Sequence, residues 1–431
     1  MNLRITAVTA VLAFLGLVLT VGRACAEDLP LVDAVECRVR GGLPNVLAKL
    51  ETGGPVRVAY LGGSITAQPG WRVYTTKYLQ EAYPKAKVEE IFAAIGGTNA
   101  TLGVYRNRKD VLTHKPDLLF IEFAVNDGGT APEEIYRSME GLVRQTWEAD
   151  PKIDICFVYT FTVGMLETLK GGSFPRSATA MEKIADHYAI PTIHMGMEAV
   201  KRAREDKLLM KAQLPKTGAE KAAIGDKFVF APDGVHPHVK TGHKLYAEAI
   251  QRSIPKCRIG AAGPHELKSP FRADHYAAAR MEPVSKVGRS AGWKKLAAED
   301  PVAKRFKRFM PEMWMCGKPG ESLTVKFKGT ALGFFDIMGP DVGALSVSVD
   351  GGPERKVLRF DAYCTYHRMN NFIAARGLPD GEHTVVVKIH SEVPDKAMIL
   401  AKRKQTMKDP RRFEGTNWRV SHVMLMGELV D

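Results

Sequence analysis

The stretch Val56-Arg57-Val58-Ala59-Tyr60-Leu61-Gly62-Gly63-Ser64-Ile65-Thr66 decides the fold. Its first six residues form a short, mostly apolar run of the kind that makes a buried strand. Two glycines then let the backbone turn sharply, and a helical stretch, Trp71 to Tyr83, follows. A serine on such a turn stands at the carboxyl end of a strand, on the rim where open α/β sheets hold their ligands. Taken alone, Gly62-Gly63-Ser64 is equally an ordinary strand-to-helix turn.

Downstream the same alternation repeats. Lys87 to Ile95 reads as a second strand and ends in Gly96-Gly97-Thr98-Asn99. Pro116 to Phe123 is a third and runs into Asn126-Asp127. Ile153 to Phe161 and Pro191 to His194 complete the set. Helical stretches lie between them, at Leu102 to Thr113, Pro132 to Glu148 and Arg176 to Tyr188. Residues 197 to 227 are mixed helix and polar loop. Then come Pro232-Asp233-Gly234-Val235-His236-Pro237 and a helix from Val239 to Ser253. Strands alternating with helices predict an α/β domain with a mostly parallel sheet, over residues 55–257.

Past Cys257 the pattern changes. Residues 258–315 have no clear period and read as a linker region. From 316 to 431 apolar and polar residues alternate, as in Leu323 to Lys328 and Leu345 to Asp350, with turn signals at Asp350-Gly351-Gly352 and Pro379-Asp380-Gly381. This predicts an antiparallel, β-sandwich-like accessory domain. Trp293, Trp314 and Trp418 read as its core, with a sugar-stacking platform as the alternative.

The N-terminus points to export. Arg4, an apolar run over residues 5–22 and Ala24-Cys25-Ala26 have the layout of a signal peptide, residues 1–26. Residues 27–54 follow as an N-terminal arm. A secreted or periplasmic location is expected, with no stable membrane insertion once the signal is cleaved. The formal charge is +13. Cleavage would remove Arg4 and Arg23 and no acid, leaving +11. Such a charge suits a diffuse solvated surface or an acidic polymer; no nucleic-acid motif is present. Five cysteines would remain, an odd number without a disulfide or metal-ligand framework. Cys156 reads as a buried thiol, and Cys316 with Cys364 is a weak candidate bridge.

Four polar positions sit where predicted strands end or on the last loop: Ser64, Gly97, Asn126, and Asp233 with His236. A serine hydroxyl needs a base to take its proton, and His236 is a candidate. Asp233 lies three residues earlier on a loop that Gly234 lets fold back, so its carboxylate can orient the imidazole. The Gly97 N–H, the Asn126 amide and the Ser64 N–H are candidate donors to an oxyanion.

These blocks resemble the SGNH (GDSL-type) hydrolase superfamily. Gly62-Gly63-Ser64-Ile65-Thr66, Ile95-Gly96-Gly97-Thr98, Ala124-Val125-Asn126-Asp127 and Asp233-Gly234-Val235-His236-Pro237 match its four motifs, in order. Gly63 stands where the family name has Asp, as in a branch rich in secreted carbohydrate esterases. Ile65 stands for Leu, and Ala124 for the Gly of many members. The resemblance implies a three-layer α/β/α fold and ester hydrolysis through an acyl-serine, with no metal or cofactor. It also implies that the substrate is an acylated polysaccharide, with O-acetyl as the acyl group. A lipid or aryl esterase, and a non-catalytic glycan-binding protein, are the alternatives. Trp71, Tyr105 and Arg106, just after the first two blocks, are candidate substrate contacts. Asp127 reads as structural. His236, His238 and His243 point in different directions after Pro237 and do not read as a metal site.

Overall fold

The computed structural model describes residues 29–430. The expected signal peptide lies outside the described residues.

The first half is a three-layer α/β/α domain. Its six-stranded sheet consists of β1 (Cys37–Arg38), β2 (Gly54–Gly62), β3 (Ala86–Ala94), β4 (Leu118–Glu122), β5 (Asp154–Tyr159) and β6 (Thr192–His194), in the order β1-β6-β5-β4-β2-β3. All neighbours are parallel except β1 with β6. β4 and β5 are buried at every position, as expected of strands covered on both faces. Helices connect the strands: α1 (Pro44–Thr52), α2 (Ser64–Ala67), α3 (Trp71–Ala82), α4 (Ala100–Asp110) and α5 (Pro132–Ala149) among them. α5 packs between α4 and the helix Arg176–Tyr188, while α3 packs on the helix Gly242–Ser253. After β2 the chain moves outward to β3, then returns to the other side of β2 as β4. The carboxyl ends of β2 and β4 therefore flank the point where the winding reverses, where such sheets open a crevice.

Two sequence expectations are corrected. The N-terminal arm, residues 27–54, is in its described part built into the α/β domain. β1 extends the sheet, and α1 buries Val46, Leu47 and Leu50 against it. Residues 258–315 are not simply a linker. Ala279–Pro283 pairs antiparallel with Trp418–Leu429, and Gly288–Arg289 with Ser322–Met338. Phe306, Phe309, Met310 and Met313 are buried in the main core. A small parallel pair within the mixed region, β7 (Leu208–Lys211) and β8 (Phe228–Ala231), was not legible beforehand.

The second half is a nine-stranded antiparallel sheet built on three long strands, Ser322–Met338, Arg368–Ile389 and Trp418–Leu429. Phe334, Val423 and Leu425 point into this sheet's own core, with Trp418 and Trp293. Their neighbours Phe335, Met424 and Met426 point the other way and join the core of the α/β domain. Side chains alternate across a strand, so these strands have two buried faces and fasten the two halves together. Trp293 and Trp418 stack edge-to-face in that core, and the partly buried Trp314 packs against it under the Arg289 guanidinium. Cys156 is buried, and Cys316 and Cys364 are free thiols, as are Cys37 and Cys257.

Phe335 is wholly buried where the halves meet. Phe335→Ala should cost about 3–5 kcal/mol of stability. Leu358→Ala, at a position 45% exposed, should stay within about 0.5 kcal/mol of the parent. Urea unfolding of the two variants checks this contrast.

Candidate active site

Ser64 follows β2 after the single residue Gly63 and opens the single-turn helix α2. Its Oγ lies 2.8 Å from His236 Nε2, and His236 Nδ1 lies 2.7 Å from Asp233 Oδ2. The other Asp233 oxygen accepts the backbone N–H groups of Val235 and His236, at 2.9 and 2.8 Å. Gly234, at φ +81°, makes that turn, and its carbonyl accepts the Val163 N–H. His238 pins the loop from behind, its Nε2 2.9 Å from the Ala212 carbonyl beside β8. Partial burial pulls the Asp233 pKa up, but the bonds from His236 and the turn outweigh it and leave it at about 2. The carboxylate therefore stays ionised and fixes the proton of His236 on Nδ1, which frees Nε2 to accept from Ser64.

Gly97 and Asn126 sit on the neighbouring loops and line one cleft together. Gly97 adopts φ +75°, a conformation that favours glycine. Gly63 lies against the Asn126 side chain: a Cβ at 63 would stand 2.0 Å from Asn126 Oδ1. The glycine is what lets that amide approach the nucleophile turn. Asp127 fastens the two loops, accepting from the Ala100 N–H at 3.2 Å and Thr130 Oγ1 at 3.1 Å. Burial drives its pKa up to about 7 against those bonds.

Under the serine lies a group that the sequence did not single out. Glu122, the last residue of β4, is fully buried. It accepts from Thr160 Oγ1 at 2.6 Å, from Thr66 Oγ1 at 2.8 Å and from the Gly63 N–H. It thus holds the residues on both sides of Ser64. Burial raises its pKa to about 7, although all three donors oppose the shift. A carboxylate ending an apolar strand, Leu118-Leu119-Phe120-Ile121-Glu122, was the available signal. His243 is a second support. Its Nδ1 accepts the Trp71 N–H at 3.2 Å, and its Nε2 lies 3.0 Å from Gln68 Oε1. Burial lowers its pKa to about 3, so it is neutral.

The three expected substrate contacts are corrected. Trp71 is fully buried, packs on Tyr60 and Phe120 and donates its indole N–H to Thr66. Tyr105 is 2% exposed. Arg106 is wholly buried, donating to the Ala93 carbonyl and pairing with Asp110. Aromatic and cationic residues beside a motif look alike in sequence whether they meet ligand or core. The groups that face the cleft come from elsewhere. Gly97 and Asn126 share a cavity of about 790 Å³ with Glu133, Glu134 and Arg137 of α5, and with Asn371, Ile373 and Arg376 of the C-terminal sheet.

Residues 60–243 match the model of the GDSL-like lipase/acylhydrolase family. They form a GDSL-like acylhydrolase domain. With it the protein is a carboxylic ester hydrolase. The whole fold is similar to that of a two-domain esterase (CEX) active on acetylated mannans, co-crystallised with mannopentaose. The TM-score is 0.69 and the identity 20%, over 92% of this chain and 98% of that one. A second structure of an esterase with that description gives 0.67 with the same identity and coverage. At this identity the likeness speaks to the fold. Among curated proteins, no sequence matches.

A carboxyl that holds its proton more tightly folded than unfolded adds stability below its ordinary range. That contribution is lost as pH rises through its folded pKa, here about 7 against 4.5. Between about pH 5 and pH 8 the parent should therefore lose more stability than Glu122→Gln, which has no proton to release. Urea unfolding at both pH values measures the difference; parallel losses would refute it.

Proposed function

We propose that this acylhydrolase is an exported carbohydrate esterase that removes acyl groups, O-acetyl foremost, from a polysaccharide. The observation that carries this reading is the Ser64–His236–Asp233 relay beside a cleft walled by both halves of the chain. His236 Nε2 takes the Ser64 proton as Oγ attacks the acyl carbonyl. Asp233 stabilises the imidazolium that forms. The Gly97 N–H, the Asn126 amide and the Ser64 N–H receive the oxyanion. His236 returns its proton to the departing sugar oxygen. Water, activated by the same histidine, then hydrolyses the acyl-serine.

The sugar assignment is supported by the cleft and by the fold. A space of about 790 Å³ falls within the usual range of ligand sites, and its polar, charged lining suits hydroxyl-rich substrates. The similar two-domain esterase acts on acetylated mannans. The charged, apolar and small-residue order of residues 1–26 supports export.

Acetate release from acetylated mannan, xylan and pectin tests the reading. Ser64→Ala should abolish release while the variant stays folded. Asn126→Ala should lower kcat about 10²–10³-fold, the usual loss for one oxyanion donor. Release retained in Ser64→Ala would overturn the assignment.

A further inference from the structure

A second charged surface stands on the C-terminal half, away from the nucleophile. Residues 402–412, Lys-Arg-Lys-Gln-Thr-Met-Lys-Asp-Pro-Arg-Arg, hold six basic residues and one acid. All six are exposed. Beside them the loop 361–367 presents Tyr363 and Tyr366, 50% and 46% exposed. The two segments are joined. The Arg403 guanidinium lies 4.0 Å from the Tyr363 ring centroid, and its Nη1 donates to the Tyr363 hydroxyl at 2.6 Å. Both are seated on a small core of their own, in which Cys364 and Phe413 are buried together. The buried Lys396 ammonium ties that core further, donating to the carbonyls of Pro340, Phe413 and Gly415. This rim is therefore a formed surface and not a loose charge run.

We propose that this rim holds an anionic polysaccharide, one bearing carboxylate or sulfate groups, and feeds it to the cleft. The chemistry of the rim favours that occupant. Guanidinium forks bind carboxylate and sulfate oxygens, and an exposed aromatic face packs on the apolar face of a sugar ring. Position supports it too. Arg368, which pairs with Asp361 of the rim loop, begins the long strand that carries Asn371 and Ile373 into the cleft. Three to five residues of strand span about 10–17 Å, within reach of one polymer chain. At the cleft the same strand presents Arg376, exposed and without an ion pair among the described residues. The helix Pro132–Ala149 contributes Glu133 and Glu134 beside Arg137 to the same cavity, so the anionic groups are expected near Arg376 of the C-terminal sheet. The inference rests on the carbohydrate-esterase reading and narrows its substrate class.

Affinity electrophoresis of the full chain carrying Ser64→Ala tests binding without turnover. Polygalacturonate in the gel should retard it, and neutral glucomannan at equal load should not. Adding Lys402→Glu, Lys404→Glu and Lys408→Glu should weaken retardation on the order of tenfold, since each reversal replaces attraction by repulsion. Tyr366→Ala, which leaves the charge unchanged, should weaken it severalfold. With Ser64 intact, the same changes should leave turnover of a small aryl acetate at the parent level. The proposal is overturned by absence of retardation in polygalacturonate, or by full retardation of the triple reversal. Equal retardation by double-stranded DNA, unaffected by Tyr366→Ala, would mean indiscriminate polyanion binding and would overturn it as well. If polygalacturonate retards the chain but no glycan yields acetate, the carbohydrate-esterase reading fails and the binding rim stands.

Discussion

Two strands with two apolar faces set the position of everything else. A strand with one wet face alternates buried and exposed residues, and Ser322 to Lys328 does so. Beyond the register shift at Gly329 and Ala331 the alternation stops, and Gly333 to Met338 is buried throughout. The same holds for Val420 to Met426. Odd and even positions there serve different cores, so a slip of one residue would exchange them. The cleft wall hangs on this section. Asn371 pairs with Phe335, Ile373 with Gly333 and Arg376 with Ala331. Packing between the halves thus fixes the distance from the C-terminal sheet to Gly97 and Asn126.

Much of this was legible where periodicity was strong. The parallel strands and the helix Arg176–Tyr188 lie close to where the pattern put them. The four motif residues stand around one another because each follows or neighbours a strand end on the same rim. What escaped has physical reasons. Ala279-Arg280-Met281-Glu282-Pro283 shows no alternation, because pairing with Trp418–Leu429 defines it, and pairing is not written locally. The arm was misjudged because α1 is a nine-residue helix whose three inward residues form a weak signal. Trp71, Tyr105 and Arg106 were misplaced because nearness in sequence to a motif says nothing about which face a helix turns inward.

The acids near Ser64 show how environment divides one chemistry. Asp233 lies in the open and collects three hydrogen bonds, so it remains a charge that can hold an imidazolium. Glu122 also collects three donors, yet burial prevails and its pKa rises to about 7. Three bonds therefore do not decide the outcome; access to water does. The buried acids are suited to holding loops. Glu122 holds the nucleophile turn, and Asp127 ties the Gly97 and Asn126 loops together.

Exposure of the relay bears on what it serves. The His236 and Asp233 side chains are 36% and 50% exposed, whereas sites for small ligands usually enclose most of their occupant. An open triad cannot draw much binding energy from the acyl group itself. That energy must come from parts of the substrate remote from the reacting bond. A polymer offers such parts, and the C-terminal sheet offers a wall to receive them, already fixed by the shared core. A wall ordered before the substrate arrives loses little conformational entropy on binding. The appended sheet is therefore best understood as a built-in wall of the cleft that Gly97 and Asn126 line, because Asn371, Ile373 and Arg376 complete that lining from the C-terminal half.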